Sequence, residues 1–118
     1  MRVLVSMKLR FYREVIGTTI QDLRPHLELV VVEPEDLEAE VARLSPEVVI
    51  GEVPEPARGG AGLAWVEFRP YEQPAARIRL GARRWELGEM SLEELLSVVD
   101  EAERSTPRGC DRGNANND

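Results

Sequence analysis

The segment with the clearest information about the fold is Pro46-Glu47-Val48-Val49-Ile50-Gly51-Glu52, with Pro56 four residues later. Its apolar centre, residues 48–50, predicts a short buried strand. Glu52 comes directly after this strand and opens a proline-containing loop. The ligand crevice of an open α/β sheet lies beyond the carboxyl ends of its strands. Glu52 is therefore the first candidate for a functional residue.

The residues before this strand alternate between strand and helix patterns. Residues 3–5 predict a first strand, and apolar side chains then recur at helical spacing over residues 12–23. Residues 27–32 form a continuous apolar run, which predicts a second strand covered on both faces of a parallel sheet. A second helix opens at residues 33–36, where proline and acidic side chains suit a helix start. We therefore expect right-handed crossovers and a parallel first half with strand order 2-1-3.

The pattern changes after Glu52. Residues 53–62 are rich in proline and glycine and leave no room for a full helix, so the third crossover is expected to be truncated. Residues 63–68 and 76–80 predict further strands, and a turn at Gly81-Ala82 leads into another strand over residues 83–87. The second half of the sheet is thus expected to be antiparallel in part.

The end of the chain completes a single α/β domain with helices on both faces of an open sheet. Ser91 and Glu94 form a capping box that starts the last helix. The domain is predicted to span residues 1–106, and residues 107–118 are predicted to be a disordered polar tail.

Composition excludes several classes of function. The 118 residues carry a formal net charge of −7, which argues against nucleic-acid binding because phosphate contacts require a basic surface. No stretch reaches membrane-spanning length and the N-terminus lacks a signal peptide, so a cytoplasmic protein without membrane contact is expected. Cys110 and His26 are each the single residue of their kind, which rules out an intrachain disulfide and a cysteine or histidine metal cluster.

The first half of the chain resembles response-regulator receiver domains. In the DNA-binding type, the first strand runs into Asp-Asp-His-Pro, two apolar residues and Arg-Glu, and Phe11-Tyr12-Arg13-Glu14 match that spacing. The strand at residues 48–50, with Glu52 and Pro56 after it, is similar to the third strand and following loop, where the family carries its phosphorylated aspartate. The resemblance covers about 55 residues. It implies a truncated receiver-like, flavodoxin-like fold and a role in signalling.

The same resemblance implies that the chemistry of the family is lost. Met7 and Lys8 occupy the places of the two acids that hold magnesium, and Lys8 is the only lysine, so the phosphate-binding lysine of the family has no counterpart. Phosphoryl transfer requires a cation with oxygen ligands, so we expect no catalytic residue, no metal site and no cofactor. Met7, Lys8 and Glu52 are degenerate phosphorylation-site positions. One hypothesis pairs the Lys8 ammonium with Glu52, and the alternative leaves both side chains in water.

Arginine and tryptophan side chains concentrate on the predicted later strands. Residues 33–47 carry six acids against one arginine and residues 86–104 carry seven against one. On simple alternation, Trp65 shares a face with Glu67 and Arg69. Because tryptophan and arginine are enriched at binding hot spots, five residues are interface candidates. These are Trp65, Arg69, Arg77, Arg79 and Trp85. The alternative is that the last helix covers Trp65 and the arginines only protect an exposed sheet edge.

Three functions remain at this point. The first is a non-catalytic, receiver-like module that binds a protein partner or a second copy of itself. The second is a protein that binds a small anionic ligand in the crevice around Met7, Lys8 and Glu52. The third, an enzyme of unrecognised type, ranks last because the sequence contains no constellation of nucleophile, base or metal ligands.

Overall fold

The computed structural model describes residues 1–56 and 62–105, which form one mixed sheet with three helices. The elements are β1 (Arg2–Ser6), α1 (Arg10–Leu23), β2 (Glu28–Val31), a short 3₁₀ turn (Pro34–Asp36), α2 (Leu37–Leu44), β3 (Val48–Gly51), β4 (Ala64–Phe68), β5 (Ala76–Leu80), β6 (Arg83–Leu87) and α3 (Leu92–Arg104). The predicted capping box at the start of α3 is confirmed, with Ser91 and Glu94 each accepting from the other's main-chain N–H.

The six strands lie in the order β2-β1-β3-β4-β5-β6. The first four are parallel, and β5 and β6 are antiparallel to their neighbours. The predicted order 2-1-3 and the partly antiparallel second half are therefore confirmed. The β5–β6 hairpin turns at Gly81-Ala82, as predicted. Gly81 has a φ of 60°, a left-handed conformation that glycine adopts without steric cost.

Helices cover both faces of the sheet, as the alternation of patterns predicted. On the face that we call the α1–α3 face, Ile16 and Ile20 of α1 and Leu95 and Val99 of α3 join the larger hydrophobic core. On the opposite face, the α2 face, Leu37 of α2 joins a smaller core. Its other fully buried members are Leu4, Val49 and Trp65. The strands β1 to β4 supply both cores because successive side chains point to opposite faces, whereas the apolar side chains of β5 and β6 belong to the larger core alone.

The second strand, predicted to be covered on both faces over residues 27–32, has partial cover on each. Leu29 packs against the larger core and Val30 against the smaller one. β2 lies at the edge of the sheet, and Val31 is 46% exposed. A continuous apolar run does not specify how completely a strand is covered.

The structure bears on the predicted truncated crossover after β3 but does not describe the predicted C-terminal tail. No helix follows β3 in residues 52–56, in line with a truncated crossover, and residues 57–61 lie outside the described part. The predicted tail at residues 107–118 and the domain end at residue 106 also lie outside it. Within the two described ranges, none of the helices has the length and apolarity needed to cross a lipid bilayer.

Asp100 ties the last helix to the first. The Arg24 guanidinium donates to both Asp100 carboxylate oxygens at 2.7 Å. This hydrogen bond is the main reason that the pKa of Asp100 lies below its ordinary value of 3.8. A carboxyl whose pKa is lower in the folded than in the unfolded chain stabilises the fold above the unfolded value, and this contribution disappears as the pH falls through the folded value.

We therefore expect the free energy of unfolding to decrease between about pH 5 and pH 2 partly through Asp100. D100N should be less stable at neutral pH and should show a shallower decrease over the same interval. Urea denaturation at a series of pH values measures both effects. An unchanged pH dependence in D100N would contradict the assignment.

Candidate functional site

The carboxyl ends of β1 and β3 lie side by side, with Ser6 opposite Gly51. The Glu52 carboxylate, which follows β3, accepts a hydrogen bond of 2.7 Å from the main-chain N–H of Lys8. The hypothesis of an ion pair between the Lys8 ammonium and Glu52 is thus wrong, because the group of Lys8 that binds Glu52 is its main-chain N–H. Among residues 1–56 and 62–105 no ion pair joins that ammonium to a carboxylate. Glu52 acts here as a clamp between two strand ends.

Met7 and Gly51 close the space between these strand ends. The Met7 side chain is fully buried and belongs to the core of the α1–α3 face, so its thioether does not line an open crevice. A Cβ on Gly51 would lie 3.1 Å from the Ser6 carbonyl oxygen, so glycine allows the two strands to end in close contact. Met7 thus has a packing role, and Lys8 and Glu52 are joined by a hydrogen bond; that these three are degenerate phosphorylation-site positions stays a prediction.

An aromatic cluster stands beside this clamp, and the sequence reasoning missed it. The Tyr12 ring makes edge-to-face contacts with Phe11, Phe68 and Tyr71, with centroid distances of 5.3, 6.1 and 6.1 Å. Phe11 and Tyr71 are largely exposed. Desolvation, then the neighbouring Tyr12 and then the Glu52 charge raise the pKa of Tyr71. The only sequence signal was the adjacent pair Phe11-Tyr12, because the other rings come from distant elements.

The second candidate region is the part of the α2 face that α2 does not cover. Strand register places Glu67 next to Arg77 and Arg79 next to Arg84, all on this face. We call the set the arginine–glutamate face. Its members are Glu55, Glu67, Arg69, Arg77, Arg79, Arg84 and Glu86. All of them except Arg69 line an open groove of about 530 Å³.

The two tryptophans lie on opposite faces of the sheet. Trp65 lies on the opposite face from Val66 and Phe68, as alternation predicted; this is the α2 face, and Trp65 is only 3% exposed there. Its indole N–H donates to the Val53 carbonyl at 2.9 Å. Trp85 is half-buried against the core of the α1–α3 face. The alternative that the last helix covers Trp65 is wrong, since α3 packs on the other face and Leu37 and Val49 belong to the cluster around this ring.

Ion pairs fasten the connection after β3 to the arginine–glutamate face. Arg79 lies 2.6 Å from Glu55, and both side chains are mostly buried. Arg69 donates to the Glu52 main-chain carbonyl at 2.8 Å and lies 3.1 Å from the buried Glu67 carboxylate. Arg77 approaches that same carboxylate to 3.9 Å. The predicted interface residues Arg69, Arg77 and Arg79 therefore share one surface, and their contact with a partner stays a prediction.

Comparison with known proteins yields no match among protein-family models, curated proteins or solved structures. Within the described residues, no group of three or more histidine, cysteine, aspartate or glutamate side chains is arranged to hold a metal ion.

Removing the Glu52 clamp should destabilise the fold. We expect E52A to lower the free energy of unfolding by about 1 kcal/mol, because the Lys8 N–H loses its acceptor. E52Q should lose less, since an amide oxygen can accept the same hydrogen bond. Chemical denaturation measures both, with E89A as a control at an exposed glutamate. Equal losses for E52A and E89A would contradict the clamp.

Two glutamates approach Arg77, and we expect the buried one to contribute more to the stability of the fold than the exposed one. Glu67 is buried, whereas Glu86 is exposed and lies 3.0 Å from Arg77. We expect E67Q to cost about 2 kcal/mol and E86Q less than about 0.5 kcal/mol, because water screens the exposed pair. Denaturation curves of the two variants test this order, and a larger loss for E86Q would refute it.

Proposed function

We propose that this chain is a non-catalytic, receiver-like protein-interaction module in signalling. The observation that carries the proposal is the arginine–glutamate face, half of a sheet face on which the described residues place charged side chains and no helix. Arginine provides several hydrogen-bond donors in a planar fork, which suits recognition of carboxylates on a protein partner.

Strand order supports the receiver-like part of the proposal. The flavodoxin-like order is 2-1-3-4-5, and the first five strands of this chain lie in the same spatial order. The reversed direction of β5 is the departure from that pattern. The helices after β1 and β2 lie on opposite faces, as expected for doubly wound sheets.

The surroundings of Glu52 support the non-catalytic part. A carboxylate that receives a phosphoryl group needs a cation beside it to neutralise the oxygen charges. Here the carboxylate is bound to a main-chain N–H, and the neighbouring Met7 side chain is in the core. The anion-binding alternative has less support, because an anion at Lys8 would meet the negative charge of Glu52.

The proposal predicts binding that needs no phosphorylation and depends on Arg77. Arg77 is exposed near the middle of the arginine–glutamate face, so R77A should weaken binding of a purified partner by about tenfold or more. The partner is first identified by affinity capture from the source organism, and its dissociation constant is then measured by calorimetry. R43A is the matched control, because Arg43 is an exposed, ion-paired arginine on α2.

A second experiment on the same protein preparation tests whether Glu52 can be phosphorylated. Incubation with a small phosphodonor and Mg²⁺ should leave the intact mass unchanged. A stable acyl phosphate, or partner binding that appears only after phosphorylation, would refute the proposal. Equal affinities of R77A and R43A would remove the arginine–glutamate face as its binding surface.

A further inference from the structure

β6 is the last strand of the described sheet, and one of its sides is unpaired. It is short, and its exposed side chains include Arg84 and Glu86. Edge strands present free main-chain N–H and C=O groups and can pair with another chain. Charged side chains usually discourage such pairing. On β6, however, the signs of the charges favour one specific pairing.

The hairpin register decides which main-chain groups of β6 point outward. Leu80 and Arg83 flank the two-residue turn and are opposite one another. In an antiparallel ladder the hydrogen-bonded pairs alternate with pairs that are not hydrogen-bonded. A turn of this length is closed by a hydrogen-bonded pair, so Arg83, Trp85 and Leu87 direct their main-chain groups to β5. Arg84 and Glu86 therefore direct theirs to the outer side.

Outward main-chain groups and side-chain charges together select one register for self-pairing. Two antiparallel copies of β6 can form hydrogen bonds only if Arg84 and Glu86 of one copy lie opposite Arg84 or Glu86 of the other. If the symmetry axis passes through Arg84 or through Glu86, identical charges face each other. If it passes through Trp85, each arginine faces a glutamate of the other copy, twice by symmetry. Opposite charges across strands stabilise a sheet and like charges destabilise it.

We propose that two copies of this chain associate through antiparallel β6 edges with the symmetry axis at Trp85. The inference rests on the proposed function as a protein-interaction module and names a second copy as a partner. Arg84 and Glu86 form the hydrogen-bonded pairs, and the two Trp85 residues form the central pair. That pair is not hydrogen-bonded, so its side chains are close, and both rings lie on the α1–α3 face. Aromatic cross-strand pairs of this kind add stability.

The other edge of the sheet lacks these features. The apolar side chains of β2, Leu29, Val30 and Val31, carry no charge that could select a register for self-pairing. An isologous interface needs a surface that is complementary to itself, and the alternation of arginine and glutamate on β6 provides one.

The test uses the complementarity of two single variants. Wild-type protein should dimerise with a dissociation constant in about the micromolar range, because a five-residue edge forms a small interface. R84E leaves two acidic positions on the edge and E86R leaves two basic ones, so each variant should self-associate about tenfold or more weakly. An equimolar mixture of R84E and E86R restores opposite charges and should form a heterodimer.

Sedimentation equilibrium measures the affinities, and native mass spectrometry with one variant isotopically labelled separates heterodimer from homodimer. R43E is the matched control and should dimerise like wild type, since Arg43 is 67% exposed and Arg84 is 73% exposed. Circular dichroism of each variant verifies folding. Recovery in the mixture cannot come from repaired contacts within one chain, because neither variant regains its own ion pair.

Two results would overturn the inference. One is a wild-type protein that stays monomeric up to about 1 mM. The other is a mixture that associates no more strongly than its components. Neither result affects the proposed function if a purified partner still binds and R77A still weakens that binding. Conversely, wild-type protein could dimerise as expected while R77A binds the partner as tightly as wild type does. That result would support the dimer and would exclude the arginine–glutamate face as the partner-binding surface.

Discussion

Parallel pairing of β3 with β4 through a connection of residues 52–63 determines what can pack on the second half of the sheet. Parallel strands need a crossover, and a crossover of about a dozen residues is near the lower limit. The end of this connection docks tightly on the start of β3. The main-chain N–H groups of Leu63 and Ala64 both donate to the Glu47 carbonyl. A Cβ on Gly62 would lie 2.8 Å from the Glu47 Cα, so only glycine fits this approach.

The short connection explains why charged side chains lie on the second half of the α2 face. A crossover helix would bury that face against apolar residues, as α2 does for the first three strands. Here the face carries arginines and glutamates, and they bind the connection itself. Arg79 holds Glu55, and Arg69 holds the main chain at Glu52. The Trp65 indole adds a hydrogen bond to Val53. In residues 52–56, the described start of the connection, these polar contacts take the place of packing by a helix.

How much of this could be predicted depends on whether the governing interaction is local in sequence. Strand order 2-1-3, the turn at Gly81-Ala82 and the capping box at Ser91 follow from local patterns and from crossover handedness, and all three are present. The exposure of Val31 was missed, because an apolar run does not show how completely each face of a strand is covered. The donor to Glu52 was missed because it is a main-chain N–H at Lys8, which side-chain identity cannot reveal.

The side chains of Trp65 and Trp85 point to opposite faces of the sheet, and this could be predicted only where the pairing register of neighbouring strands can be read from the sequence. A two-residue turn fixes the register of β5 with β6, so the face of Trp85 relative to Ile78 was accessible from sequence. The connection between β4 and β5 spans residues 69–75, and its length allows more than one register. The face of Trp65 relative to β5 therefore required the structure. Interface candidates chosen by residue type alone combined two surfaces that the sheet separates.

The proposed pairing at β6 places one of the two acidic segments of each chain far from the contact and the other close to it. Each chain carries a formal charge of −7, and the acids concentrate in residues 33–47 and 86–104. The first of these segments includes α2, which packs over the strands at the opposite end of the sheet from β6. In a pair joined at β6, the two copies of α2 lie at the far ends, where solvent screening weakens their repulsion. The acidic α3 lies closer, and its Glu101 is paired at 3.1 Å with Arg83 of the edge strand. Repulsion between two copies would therefore come mainly from the segment that includes α3, and the opposite charges of Arg84 and Glu86 across the two edges would act against it.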